Sequence, residues 1–142
     1  MPKLKKASTL LILAAMLMLS ACNNAAKLQE YDFKTDKIPS INSIIGQERK
    51  VSGVATGTGT DGTYKTYTYE ADEPLKDIQT YIDELQARGW VVTILEGDNI
   101  SGKVQIGIES KDEGKILLVT IEYSTSSYKL DARKATGTLN RY

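Results

Sequence analysis

The chain carries 18 acidic and 18 basic side chains, one thiol and no imidazole. Without histidine, imidazole metal ligation, histidine-dependent triads and imidazole pH switches are excluded. A serine nucleophile would have to find its base among Lys, Asp and Glu, and no Gly-x-Ser-x-Gly occurs. The neighbouring carboxylates Asp72-Glu73, Asp83-Glu84 and Asp112-Glu113 could serve acid/base chemistry only if the fold made two of them converge. Asp98, Asp112 and Glu113 lie in turn-rich loops that lack the alternating ligands, central Gly and closing Glu of an EF-hand, so they read as solvated turns. The run Gly57-Thr58-Gly59-Thr60-Asp61-Gly62 lacks the Gly-Lys-Ser/Thr ending of a phosphate loop and falls between strands, which makes it a hairpin loop. No catalytic constellation and no metal site is expected, and the chain is not read as an enzyme. The least bland feature is the segment Tyr64-Lys65-x-Tyr67-x-Tyr69. Tyrosines favour interfaces. Tyr64 and Lys65 are therefore candidate ligand contacts, while Tyr67 and Tyr69 are expected to line the core.

The clearest of the elements that must position these groups is a helix over Pro74 to Arg88. Leu75, Ile78, Ile82 and Leu85 recur at spacings of three and four, with Tyr81 beside them. Asp72 or Glu73 can cap its start, Pro74 suits the first turn and Gly89 a left-handed stop. Asp77 is among the residues expected to face water. Trp90 to Glu96 is a near-continuous apolar run, which suggests a central strand. Lys103 to Glu109 alternates, with Val104, Ile106 and Ile108 on one face and Lys103, Gln105 and Glu109 on the other, and Ile116 to Tyr123 forms a further strand with Leu117, Val119, Ile121 and Tyr123 inward. Before the helix, Arg49 to Thr56 and Thr63 to Glu70 read as a pair, and Ile41 to Ile45 as a short helical turn. The expected fold is α+β: a single antiparallel sheet of about five strands, order ββαβββ, with one helix packed on one face in a two-layer sandwich.

Outside that core, residues 1–9 are basic and Leu10 to Leu19 are ten unbroken apolar residues. As a helix this run would span roughly 15 Å, half of a ~30 Å hydrocarbon core, so it reads as a secretory h-region. Leu19-Ser20-Ala21-Cys22 then resembles the lipobox of bacterial lipoproteins. That resemblance implies cleavage between Ala21 and Cys22, a covalent diacylglycerol on the Cys22 sulfur as the sole attached group, and residence on the extracytoplasmic face of the cell membrane. Two acyl chains suffice for stable anchoring. The remaining chain carries 15 basic and 18 acidic groups, a net of −3 once Lys3, Lys5 and Lys6 are removed. It gives little electrostatic reason to bind nucleic acid.

The expected organisation is a signal peptide over 1–21, the lipidated Cys22 and a polar tether over 22–40, the α+β domain over 41–123, and a polar tail over 124–142. Two alternatives stay open: Tyr31 and Phe33 docking on the domain edge, and an extra edge strand within the tail. The stretch from 45 to 123, with Tyr81-Ile82-Asp83-Glu84-Leu85 leading to Arg88-Gly89-Trp90, is similar to small uncharacterised lipoproteins of Gram-positive bacteria. The functional expectation is a lipid-anchored binding or protein-interaction module whose partner is an envelope protein or a cell-wall component. An accessory or inhibitory subunit of an envelope complex is the alternative.

Overall fold

The computed structural model describes residues 21–59 and 62–139; the expected signal peptide over 1–21 lies outside them except for Ala21. Residues 21–26 are helical (α1). A hairpin follows, β1 (Glu30–Phe33) against β2 (Asp36–Pro39), then α2 (Ile41–Ile45), β3 (Val51–Gly59), β4 (Gly62–Glu70) and α3 (Pro74–Ala87). The chain continues through β5 (Val91–Gly97), β6 (Gly102–Glu109), β7 (Lys115–Tyr123) and β8 (Ser127–Thr136). β1 and β2 form their own two-stranded sheet. The other six strands form one antiparallel sheet in the order β3-β4-β8-β7-β6-β5.

The expected five-stranded sheet with a single helix is therefore corrected. Eight strands in two sheets and three helices make a mostly β fold among the described residues. The five strands and the helices read at 41–45 and 74–88 are present. What was missed lies in the two polar stretches. Residues 127–136 are no tail and no edge: β8 is inserted between β4 and β7 and paired along its length with both. It buries Tyr128, Leu130 and Ala132 on the core side and turns Lys129, Asp131 and Arg133 to the other face. One wet face lets a central strand be half polar.

The polar tether is replaced in the same way by a docked hairpin. Tyr31, Phe33 and Ile38 are buried, and Ala25 and Ile41 join the same core. Ser40 caps α2, its hydroxyl accepting from the Ser43 N–H, and Gly46 ends the helix at φ 71°. The anchor of this hairpin is aromatic. Tyr31 stacks on Tyr67 with centroids 5.0 Å apart, and its hydroxyl lies 2.6 Å from that of Tyr69. Tyr31 also accepts the Ile41 N–H, and Tyr81 donates to the Pro39 carbonyl, so these buried phenols are satisfied. Burial pushes the pKa values of Tyr31, Tyr69 and Tyr81 up, which keeps all three neutral.

The helices and the hairpin share one face of the six-stranded sheet, where Val51, Tyr67, Tyr69, Tyr128, Leu130, Val119, Ile121, Val104 and Ile106 face them. α3 lies on this face with Ile78, Tyr81, Ile82 and Leu85 inward, and Gly89 supplies the left-handed stop at φ 94°. Glu73 is its N-cap, although its carboxylate makes no cap bond. Asp77, expected to be wet, is instead buried and paired with Arg49.

β5 is the second positional correction. It is an edge strand, not a central one. Its apolar residues face two ways: Trp90 and Val92 pack on the helix-side core, while at this corner Thr138 and Leu139 fold back over the open face. Val91, Val92, Ile116 and Leu118 line a hollow of about 350 Å³ together with Thr138 and Leu139. A Cβ on Gly107 would come within 2.9 Å of both Leu118 Cδ2 and Leu139 Cδ2, so glycine makes room for that cover.

Candidate binding face

The sheet face opposite the helices is uncovered over most of its area, and antiparallel register arranges its side chains in cross-strand rows. The first row, near the Ser124–Ser127 turn, runs Thr68, Lys129, Glu122, Lys103, Glu96 across five strands, its four charges alternating in sign. Lys129 and Glu122 pair at 3.2 Å. The middle row is Thr66, Asp131, Thr120, Gln105 and Ile94. Here the Thr66 hydroxyl donates to Asp131 Oδ2 at 2.8 Å, Gln105 Nε2 donates to Thr120 Oγ1 at 2.9 Å, and the Thr93 hydroxyl donates to Gln105 Oε1 at 2.8 Å. The third row, Tyr64, Arg133, Leu118, Gly107 and Val91, turns from aromatic to aliphatic. A shallow groove of about 460 Å³ crosses these rows, lined by Thr66, Gln105, Leu118, Thr120, Asp131 and Arg133 among others. The charged groups along it are compensated from within: Arg133 Nε lies 3.3 Å from Asp131 Oδ1.

Tyr64 and Lys65 do not form one site. Their pleat neighbours put Tyr64 on this open face, half-buried, with the Arg133 guanidinium 5.4 Å from its ring centroid. Lys65 points to the other side, its ammonium 5.6 Å from the centroid of Phe33 on the hairpin. The residues that do line the groove do not read as one site in the sequence, although alternation places Gln105 outward and puts Thr66 on the same strand face as Tyr64. Their signal was the alternation Lys129-Asp131-Arg133 against Tyr128-Leu130-Ala132. Cys22 is half-buried and packs against the core at the start of the described chain. No protein-family model, curated protein or solved structure matches the chain.

Two ionic clusters elsewhere hold the fold. At the far end of the sheet Lys134 Nζ bridges Asp36, at 2.8 Å, and Asp112. Thr35 and Ser110 complete the cluster, which clamps the β1–β2 turn to the β6–β7 loop. These two carboxylates come nearest to a cation site, and the Lys134 ammonium already fills it. The second cluster, Arg49-Asp77-Tyr128, pins α3 to the segment ahead of β3. Ser126 and Lys129 stand at a Ser-x-x-Lys spacing. Here that segment is a turn running into a strand, and Lys129 is engaged by Glu122.

Burial alone would raise the Asp36 carboxyl, but the Lys111 N–H, the Lys134 ammonium and the Ser110 hydroxyl outweigh it and hold its pKa at about 2. Because this value lies below the unfolded one, the stabilisation is complete above about pH 4 and is lost as the pH falls toward 2. The shift corresponds to about 2 kcal/mol. Asp36→Asn is expected to lower stability by about that amount at pH 7 and to flatten the acid limb of urea-unfolding stability between pH 4 and 2. An unchanged acid limb in the variant would assign that slope to other carboxylates.

Proposed function

We propose that this chain is a lipid-anchored extracytoplasmic binding module of the cell envelope, held by diacylglycerol on Cys22, and that its open sheet face meets the partner. The observation that carries the reading is the uncovered face: five adjacent strands present three ordered rows grading from paired charges through neutral hydrogen-bonding groups to Tyr64 and Leu118. Such a surface offers hydrogen bonds and some apolar area without a net field, which suits an envelope protein or a cell-wall component. The lipobox-like Leu19-Ser20-Ala21-Cys22 supports an envelope partner, and the net charge of −3 behind it weighs against nucleic acid. Binding without catalysis is the natural use of Glu122, Lys129, Asp131 and Arg133, since each of these groups is engaged by a neighbour on the same face. No helix among the described residues is long and apolar enough to cross a membrane.

Fatty-acid labelling and membrane fractionation of wild type beside Cys22→Ala tests the anchor. Label and membrane residence should both vanish in the variant. In-cell crosslinking then tests the face: Thr120→Arg, which puts a bulky charge into the middle row, should remove crosslinked products that persist with Lys37→Glu on the hairpin. Identical products from Thr120→Arg and wild type would exclude the open face as the binding surface.

A further inference from the structure

The mature N-terminus is not at the end of a linker. Cys22 lies within the described part of helix α1, Ala25 is 4 % exposed, and the backbone from Ala26 onward is tied to the domain. The Asn42 amide donates to the Ala26 carbonyl at 2.9 Å, the Ser40 hydroxyl donates to the Leu28 carbonyl, and the Ser40 N–H donates to the Gln29 carbonyl. A lipid on Cys22 would therefore be mounted three residues from buried structure, and no flexible length would remain to lift the domain.

The same bonds show which end of the molecule the anchor serves. From Ala26 they continue through Asn42, which accepts the Arg49 N–H, to Lys50, whose carbonyl accepts the Glu70 N–H, and then to Ala71, which donates to the Ser126 carbonyl. The anchor thus sits in the helical layer, joined to the sheet end formed by Glu70 and Ser126. The opposite end carries the β1–β2 turn, the Ser110–Gly114 loop and Lys134. The ten residues of β8 separate the two ends by roughly 30 Å at ~3.3 Å per residue. One helical turn beyond Cys22, Ala26 joins Asn42, Ser43, Gly46 and Gln47 in a concave patch whose lining includes one charged group, Glu48, so the patch can lie on lipid headgroups with little Coulombic cost.

We infer that the bilayer surface itself is the partner of this α1–α2 end. The domain stands rigidly on its anchor, with the Gln47 patch against the headgroups, the Ser110–Gly114 end farthest from the membrane, and the open sheet face clear of the lipid. This inference rests on the lipid-anchor reading. It confines the partner of the open face to molecules within one domain length of the membrane.

Lipidation occupies the only native thiol, so one introduced cysteine in the lipidated full chain can be labelled alone. Gln47→Cys and Lys111→Cys, each carrying a fluorescent donor, are reconstituted in phosphatidylcholine vesicles containing a headgroup-labelled acceptor. For a height difference of roughly 30 Å the transfer rate at position 47 should exceed that at 111 by about threefold or more. Twelve Gly/Ser residues inserted between Cys22 and Asn23 add a flexible span of roughly 20 Å and should bring the two rates together. Acylated protein with equal rates at 47 and 111 before the insertion overturns the inference alone. Protein that carries no acyl label overturns the anchor reading and this inference with it.

Discussion

Ended after Tyr123, the chain should not fold. The truncation removes a segment whose composition is that of a tail, yet β8 joins a two-stranded part, β3-β4, to a three-stranded part, β7-β6-β5, and the strands of these two parts pair with one another only through it. Tyr128, Leu130 and Ala132 leave the core, Asp77 loses the Tyr128 hydroxyl, and Asp36 and Asp112 lose Lys134. Truncating one buried Leu to Ala costs ~2–5 kcal/mol, and whole domains hold only ~5–15 kcal/mol. Losing three buried side chains and both ladders exceeds that margin. Circular dichroism should show no cooperative urea transition for residues 1–123. The point variant Leu130→Ala, which keeps the strand, should remain folded and be weaker by ~2–5 kcal/mol. A cooperative transition in the truncated chain would show that the sheet closes without β8.

What the residues disclosed and what they hid follow from one distinction. Period-two alternation reports which face a side chain takes, and it placed Tyr67, Tyr69, Val104, Ile106, Leu117, Val119 and Ile121 in the core, where they are. It does not report where a strand lies in the sheet. Continuous apolarity at Trp90–Glu96 suggests a central strand, yet the strand lies at the sheet edge: Trp90 and Val92 pack on the helix side, Val91 shares the open-face hollow with Leu139, and Leu95 is exposed. β8 has the opposite character, central in pairing and wet on one face, so its Lys and Asp residues disguised it. The hairpin was hidden for a related reason. Its four-residue strands carry only Tyr31, Phe33 and Ile38 into the core, too few for a period to register, and tyrosine stacking supplies the rest of its attachment. The open face inherits these difficulties, since its rows are set by the pairing of distant strands. Tyr64 and Lys65 were adjacent in sequence and separated by the pleat; Thr66 and Asp131 were 65 residues apart and are hydrogen-bonded.

The second large effect is expected at Arg49. The helical pattern exposes Asp77, because it falls outside the Leu75-Ile78-Ile82-Leu85 stripe, and only tertiary structure brings Arg49 across to cover it. The guanidinium engages the carboxylate twice, Nε at 2.7 Å and Nη2 at 2.9 Å, while Tyr128 donates at 3.1 Å. Such bidentate geometry is strong, but the two partners are not equally placed. The Asp77 side chain is 5 % exposed and that of Arg49 26 %. Arg49→Met leaves a buried carboxylate with Tyr128 as its remaining side-chain donor, and stranding a charge in this way costs about 3 kcal/mol or more. Asp77→Asn leaves a guanidinium that can turn to water and an amide that still accepts from Tyr128, so its cost should be nearer 1–2 kcal/mol. The double variant should be more stable than the two separate losses imply, by about 1 kcal/mol or more, because the stranded charge is gone. Urea midpoints of the four proteins measure the cycle. If Asp77→Asn proves the more damaging single change, Arg49 is held at the surface by something other than this carboxylate, and the clasp between α3 and the start of β3 must be sought in Tyr128.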